Sequence, residues 1–332
     1  MDTFSYFPGK PELPQNIAPA NAPVTEEPPY TPGDARRACS RVGLGLVAML
    51  AADLLLSAIF VAVSYLFTPA PSMDLLMIIS SVVLYAMAIP IFYLTVMGLP
   101  KTRAEGAGCS LPRALCYFLL CLPILYLLSF LGEFVSKWIS KLTGLSVSNA
   151  LETSVDGMSL LLIFLATVVA APIFEELVFR RFILDRVGGF GALPACALSG
   201  LCFGLYHGNF YQFFYAFAIG CFFAYVYLST GKLRYSIGLH MAVNFFGAFL
   251  PTWITRTWGE ESMAAGVFST AILLAAVTGG ILWIVFLVGK RFPKVKEPRR
   301  IPAGKESAFF LCGGMILFYL FIAGYFLLNM TA

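Results

Sequence analysis

The chain has 332 residues, of which 59% are hydrophobic and only 12% charged, and its mean hydropathy is +0.82. A soluble domain carries roughly 25% charged residues. Composition therefore excludes a soluble globular enzyme and points to an all-α, polytopic membrane bundle whose segments need about 20 apolar residues each. The net charge of +4 is a topological signal, with nothing in it that suggests nucleic-acid binding.

Residues 1–40 carry eight prolines and no apolar stretch of signal-peptide type, so they read as a disordered, proline-rich cytoplasmic tail. Pro11-Glu12-Leu13-Pro14 within it is a weak PxxP motif. The membrane domain is expected over 41–332. About nine spans follow in order: 43–67, 76–99, 113–132, 158–182, 192–207, 210–228, 235–253, 265–288 and 307–329. The fifth is short, and the fourth contains charges. Asp53 lies in the first span without an evident partner and reads as a structural polar contact. Residues 134–145 read as an interfacial amphipathic helix, with Phe134, Val135, Trp138, Ile139 and Leu142 on one face. Residues 289–305 read as a basic, headgroup-facing linker. There is no internal repeat.

With nine spans, every lysine and arginine except Lys137, Lys141 and Arg256 falls on the side of the N-terminal tail. The positive-inside rule then places the N-terminus in the cytoplasm and the C-terminus outside. The eight cysteines form no CxxC pair and read as small packing residues. Gly279-Gly280 and Gly313-Gly314 read as helix-packing positions. HExxH, GxSxG, P-loop and dinucleotide fingerprints are all absent.

Three polar clusters interrupt the apolar runs, and ionisable groups inside a membrane usually mark function. In Glu175-Glu176-Leu177-Val178-Phe179-Arg180, Glu176 and Arg180 are four apart and share a helix face, where they can pair. Glu175 lies one step round without that partner. Burial disfavours its charged form, which suits a general base that takes a proton from water. The bland alternative makes all three an electrostatic staple. The only two histidines of the chain stand in the other clusters. Phe203 shares a face with His207 and can fix its ring by packing. His240 and Asn244 share a face and offer two donors that can bind an oxyanion. Alternatively, His207, His240 and Glu175 can hold one divalent metal, with zinc the natural choice.

In that order on successive helices, EExxxR (Glu175, Glu176, Arg180), FxxxH (Phe203, His207) and HxxxN (His240, Asn244) resemble the CAAX prenyl endopeptidase and bacteriocin-processing family of intramembrane proteases, the CPBP or Abi family. The resemblance covers roughly 158–255. It implies a helical bundle with peptidase activity. Glu175 and His207 would activate water, His240 and Asn244 would stabilise the oxyanion, and Glu176, Arg180 and Phe203 would support them. Partners would be membrane lipids and a peptide or protein substrate near the membrane. The family has been described both as metal-dependent and as glutamate-based. The reading favours no cofactor and leaves one divalent metal as the alternative.

Simple arithmetic resists this assembly. At about 1.5 Å per residue, Glu175 lies about 18 Å from the cytoplasmic end of its helix and His240 only about 9 Å above Arg234, while His207 sits nearer the outer face. The three meet only if helices tilt or break, or if the fifth span is re-entrant; His207-Gly208-Asn209 offers a break. Two other functions share these residues: a proton-coupled transporter, since intramembrane Glu, Arg and His also form proton relays, and a catalytically silent scaffold or immunity protein.

Overall fold

A computed structural model describes residues 30–68, 70–147, 157–295 and 301–331. The proline-rich part of the tail up to residue 29, including Pro11–Pro14, and residues 296–300 of the basic linker lie outside these. The described residues are mostly helical, and the only strands among them are two of two residues each.

Helix α1 (Pro32–Phe67) begins inside the expected tail. Thr31 and Asp34 form a capping box at its start, Pro32 occupies the first turn, and Ala35, Ala38 and Cys39 are already buried. A proline there loses nothing, because the first amides of a helix have no intrahelical acceptor. Next come α2 (Met73–Val96), α3 (Leu111–Thr143), α4 (Leu160–Phe190), α5 (Ala192–Tyr206), α6 (Phe210–Thr230), α7 (Leu233–Trp258), α8 (Met263–Val288) and α9 (Gly313–Leu328). Among the described residues seven of these are long and apolar enough to cross a membrane; α5 and α9 are the two shorter ones. The separate interfacial helix expected over 134–145 is not there. Those residues continue α3 without a break as far as Gly144, which caps the helix at φ +73°. Gly132 does not interrupt it, because its missing side chain is what lets α3 pack on the backbone at Phe210 and Tyr211.

Contacts between helix ends sort the bundle into two ends. At one, the Gly314 amide donates to Ser40 Oγ (2.9 Å) and the Thr102 amide to the Asp185 carbonyl (2.6 Å). There also Tyr225 donates to the Pro293 carbonyl (2.8 Å), and the Ile301 amide to the Phe190 carbonyl (2.9 Å). At the other, the Ser159 amide donates to Asp74 Oδ1 (2.8 Å), and Asn329 Nδ2 to the Gly208 carbonyl (2.9 Å). Strand β1 (Ser146–Val147), just beyond α3, pairs antiparallel with β2 (Met330–Thr331) at this same end. The short helices α5 and α9 both start at the first end, and the turn after α5 meets the end of α9 through the Asn329–Gly208 bond. Arg36, Arg41, Arg103, Lys232 and Lys290 lie towards the first end. Lys137, Lys141 and Arg256 lie towards the second.

Three helices contain stretches whose hydrogen bonds reach five residues instead of four: Leu84–Ala88 in α2, Phe164–Ala170 in α4 and Phe245–Phe249 in α7. Each lies just ahead of a proline, namely Pro90, Pro172 and Pro251. Proline lacks an amide hydrogen and its ring crowds the preceding turn, and a widened turn accommodates both. A fourth such stretch, Leu177–Leu184 in α4, has no proline behind it. Of the glycine pairs, Gly279 meets the α3 backbone at Leu119 and Gly314 meets α1 at Ser40, while Gly280 and Gly313 face open space.

Candidate active site

Glu176 and Arg180 form the pair that their spacing predicts. Arg180 Nε lies 3.0 Å from Glu176 Oε2, and both side chains are wholly buried. The remainder of the guanidinium is unusual. Nη1 and Nη2 have no hydrogen-bond partner among the described residues. Instead the group faces the rings of Phe203 (5.1 Å), Phe223 (5.8 Å) and Phe179 (6.0 Å). A desolvated cation held against ring faces gains about 2 kcal/mol.

His240 on α7 sits between the two glutamates of α4. Its Nδ1 lies 3.1 Å from Glu176 Oε1, and its Nε2 lies 3.6 Å from Glu175 Oε2. Glu176 thus meets Arg180 with one oxygen and His240 with the other, and Ser236 also reaches its carboxylate. Glu175, expected to stand apart, makes the longer approach to His240. The imidazole also lies against Phe203 (5.5 Å) and Phe223 (5.3 Å).

His207 caps α5, and Gly208 turns the chain with φ +65°, so the break falls at the expected place. A side chain on Gly208 would run into Tyr325. His207 Nδ1 lies 2.8 Å from the Phe203 carbonyl. A carbonyl only accepts, so this contact requires the proton on Nδ1 and leaves a lone pair on Nε2 of the neutral ring. Phe203 is the hub of the site. Its ring meets His207 edge-on (4.9 Å, 86°), His240 (5.5 Å, 90°) and Phe179 (5.2 Å, 76°), and lies over Arg180. It holds both imidazoles, beyond the single one expected.

Asn244 ties α7 to α4, its Nδ2 donating to the Thr167 carbonyl at 2.8 Å. The widened turn explains why that carbonyl is available. The Ala171 amide reaches back to Ala166, and the next residue, Pro172, has no amide hydrogen. Thr167 is left without a helical donor, and Asn244 supplies one. The second hydrogen on Nδ2 is not used by this bond.

Glu175, Phe203, His207, His240 and Asn244 all line one cavity of about 350 Å³. All three proline-linked stretches contribute to its wall, through Leu84 and Tyr85, Ala166 and Thr167, and Gly247 and Ala248. Widened turns of this kind are rare and cluster at functional sites. Gln212, Tyr215, Ser80, Ser81 and Met77 line it as well, and these lie early on α6 and α2, so the cavity reaches towards the end of the bundle with few basic residues. Asp53, read from sequence as a structural contact, also faces it. The prolines are a signal that sequence reasoning passed over; nothing in the sequence points to Asp53 beyond its charge in an apolar helix.

Among the described residues no three His, Cys, Asp or Glu side chains come together so as to hold a metal ion. His240 turns both ring nitrogens to carboxylates, and His207 uses Nδ1 on a carbonyl. As arranged, Glu175, His207 and His240 do not make a ligand set.

Residues 157–246 match the family model described as type II CAAX prenyl endopeptidase Rce1-like. That segment contains all three motifs, and the matching model is of the family that they resemble. The match supports CAAX-type membrane protease activity in general terms. No curated protein and no solved structure matches the chain.

Proposed function

We propose that the chain is a membrane-embedded endopeptidase that hydrolyses a peptide bond of a membrane-associated protein or peptide by direct attack of water. Candidate substrates are CAAX-type proteins and bacterial peptides undergoing maturation. The observation that carries this reading is that Glu175, His207, His240 and Asn244, from three helices, line one cavity.

Water binds between Glu175 and the Nε2 lone pair of His207. Glu175 takes a proton from it as the oxygen attacks the scissile carbonyl. General-base assistance of this kind contributes about 10²- to 10⁴-fold. The oxyanion of the tetrahedral intermediate meets Nε2–H of His240 and the unused hydrogen of Asn244 Nδ2. The contact of Nδ1 with Glu176 fixes the ring. The proton held by Glu175 passes to the leaving amine, and the carbonyl re-forms as a new carboxyl group. No acyl-enzyme is needed. Phe203 holds both imidazoles, and Arg180 holds Glu176.

The basic residues orient the bundle with its N-terminus cytoplasmic and its C-terminus outside, with α5 and α9 counted as spans. The substrate segment then reaches the cavity from the non-cytoplasmic half.

The test is reconstitution in liposomes with a peptide library displayed on either face, comparing wild type with Glu175→Gln. New peptide termini with wild type and none with the variant support the reading. Transport of protons or solutes that depends on Glu175, with no cleavage, replaces it with a carrier.

A further inference from the structure

Asp53 is a carboxylate on α1, far from the three motifs in sequence, yet it lines the same cavity as Glu175 and His207. Its Oδ1 is buried without a hydrogen-bond partner among the described residues. The hydroxyl of Ser57, one turn on, lies beside the carboxylate as a neutral donor and brings no charge to it. Tyr85 and Tyr206 both lie within electrostatic reach of Asp53 and Glu175 together, so the two carboxylates share one compartment.

The charge around this compartment is one-sided. Its lining includes two carboxylates and no lysine or arginine. The nearest fixed cation of the motifs, Arg180, is wholly buried, paired with Glu176 and covered by Phe203. An ionised carboxylate is an acceptor only, and a charged group in an apolar surround is costly unless it is paired. Whatever satisfies Asp53 must therefore bring donors, and preferably positive charge. Glu175 is an acceptor and His207 offers an acceptor nitrogen, while the motif donors, His240 and Asn244, are directed to the oxyanion, so no lysine or arginine of the lining supplies a counter-charge.

We propose that Asp53 is a specificity-determining residue that receives a cationic side chain of the substrate, lysine or arginine, close to the bond held at Glu175. This rests on the peptidase reading and adds the substrate class that the cavity selects. Like-charged segments are turned away by the same field, so the preference combines attraction with repulsion.

The experiment uses full-length protein in liposomes and quenched fluorescent peptides of matched sequence carrying Lys, norleucine or Glu at each position flanking the cleaved bond. Wild type should cut the Lys peptide at one position at least tenfold better, in kcat/KM, than the norleucine peptide, with the Glu peptide worst. In Asp53→Asn and Asp53→Ser that ratio should collapse towards one, and Asp53→Glu should keep most of it. Binding of the same peptides to Glu175→Gln, read by anisotropy, should show the same order, lost when Asp53→Asn is added. Cleavage without a Lys preference, or a preference unchanged in the Asp53 variants, overturns the proposal and leaves the peptidase reading standing. A Lys preference in binding that depends on Asp53, with no cleavage by wild type, keeps the Asp53 site and refutes the peptidase.

Discussion

Replacing Glu176 with alanine removes the counter-charge of Arg180 at a site where neither side chain is exposed to solvent. The guanidinium would be left with three ring faces and no hydrogen-bond acceptor, since Nη1 and Nη2 already have none. Breaking a buried pair from one side costs about 3–5 kcal/mol, or roughly two to nearly four powers of ten in the folded-to-unfolded ratio at about 1.4 kcal/mol per decade. Ring contacts worth about 2 kcal/mol survive the substitution and hold the loss towards the lower figure. The double variant Glu176→Leu/Arg180→Leu removes both charges and should recover most of the stability, because apolar replacement of a whole buried pair is often neutral. It should not recover activity, since His240 loses its Nδ1 partner in both variants. Thermal unfolding in detergent followed by size exclusion reads the first effect, and peptide cleavage reads the second. A Glu176→Ala loss below about 1 kcal/mol, the range of an exposed pair, would refute the buried-pair argument. So would a double variant as unstable as the sum of its single ones. Full activity in the double variant would refute the role given to the His240 contact.

Glu175→Ala and His207→Ala should each abolish cleavage while leaving unfolding near wild type, because Glu175 comes no nearer than 3.6 Å to His240 and His207 bonds only to its own helix; a loss of folding equal to that of Glu176→Ala would contradict this division. Asn244→Ala should lower kcat by about 10²- to 10³-fold if its free hydrogen serves the oxyanion, and should also destabilise by about 1–3 kcal/mol through the orphaned Thr167 carbonyl; a stability loss with kcat unchanged would leave only the structural tie. Elemental analysis of active protein is expected to find no stoichiometric metal. Zinc that is lost in His207→Ala, with activity removed by chelation and restored by the ion, would replace the water-glutamate mechanism. A reporter fused after Ala332 should read non-cytoplasmic, and a cytoplasmic reading would invert or recount the bundle.

Spacing within one helix was readable from sequence because an α-helix returns to the same face every 3.6 residues. The Glu176–Arg180 pair, the Phe203–His207 contact and the break at Gly208 were all of that kind. Contacts between helices were not, because apolar segments carry little information about which neighbour they meet. The approach of His240 to both glutamates is therefore absent from any local pattern. The depth arithmetic assumed regular helices, and α4 and α7 are not regular: wider turns advance less per residue and rotate the faces that follow. Prolines 172 and 251 announce those turns, and the use of Asn244 on Thr167 follows from the first of them. The continuation of α3 through residue 143 was misjudged for a related reason. Its amphipathic final turns look interfacial in isolation, yet nothing in 133–143 breaks a helix.

The most direct test of the central claim is to incubate the reconstituted protein with a peptide library in ¹⁸O-labelled water and identify the products by mass spectrometry. Water-attack hydrolysis that depends on Glu175 and His207 predicts new C-termini carrying one heavy oxygen with wild type, and none with Glu175→Ala or His207→Ala. New termini formed equally by the variants, or no labelled termini from wild type, would contradict it.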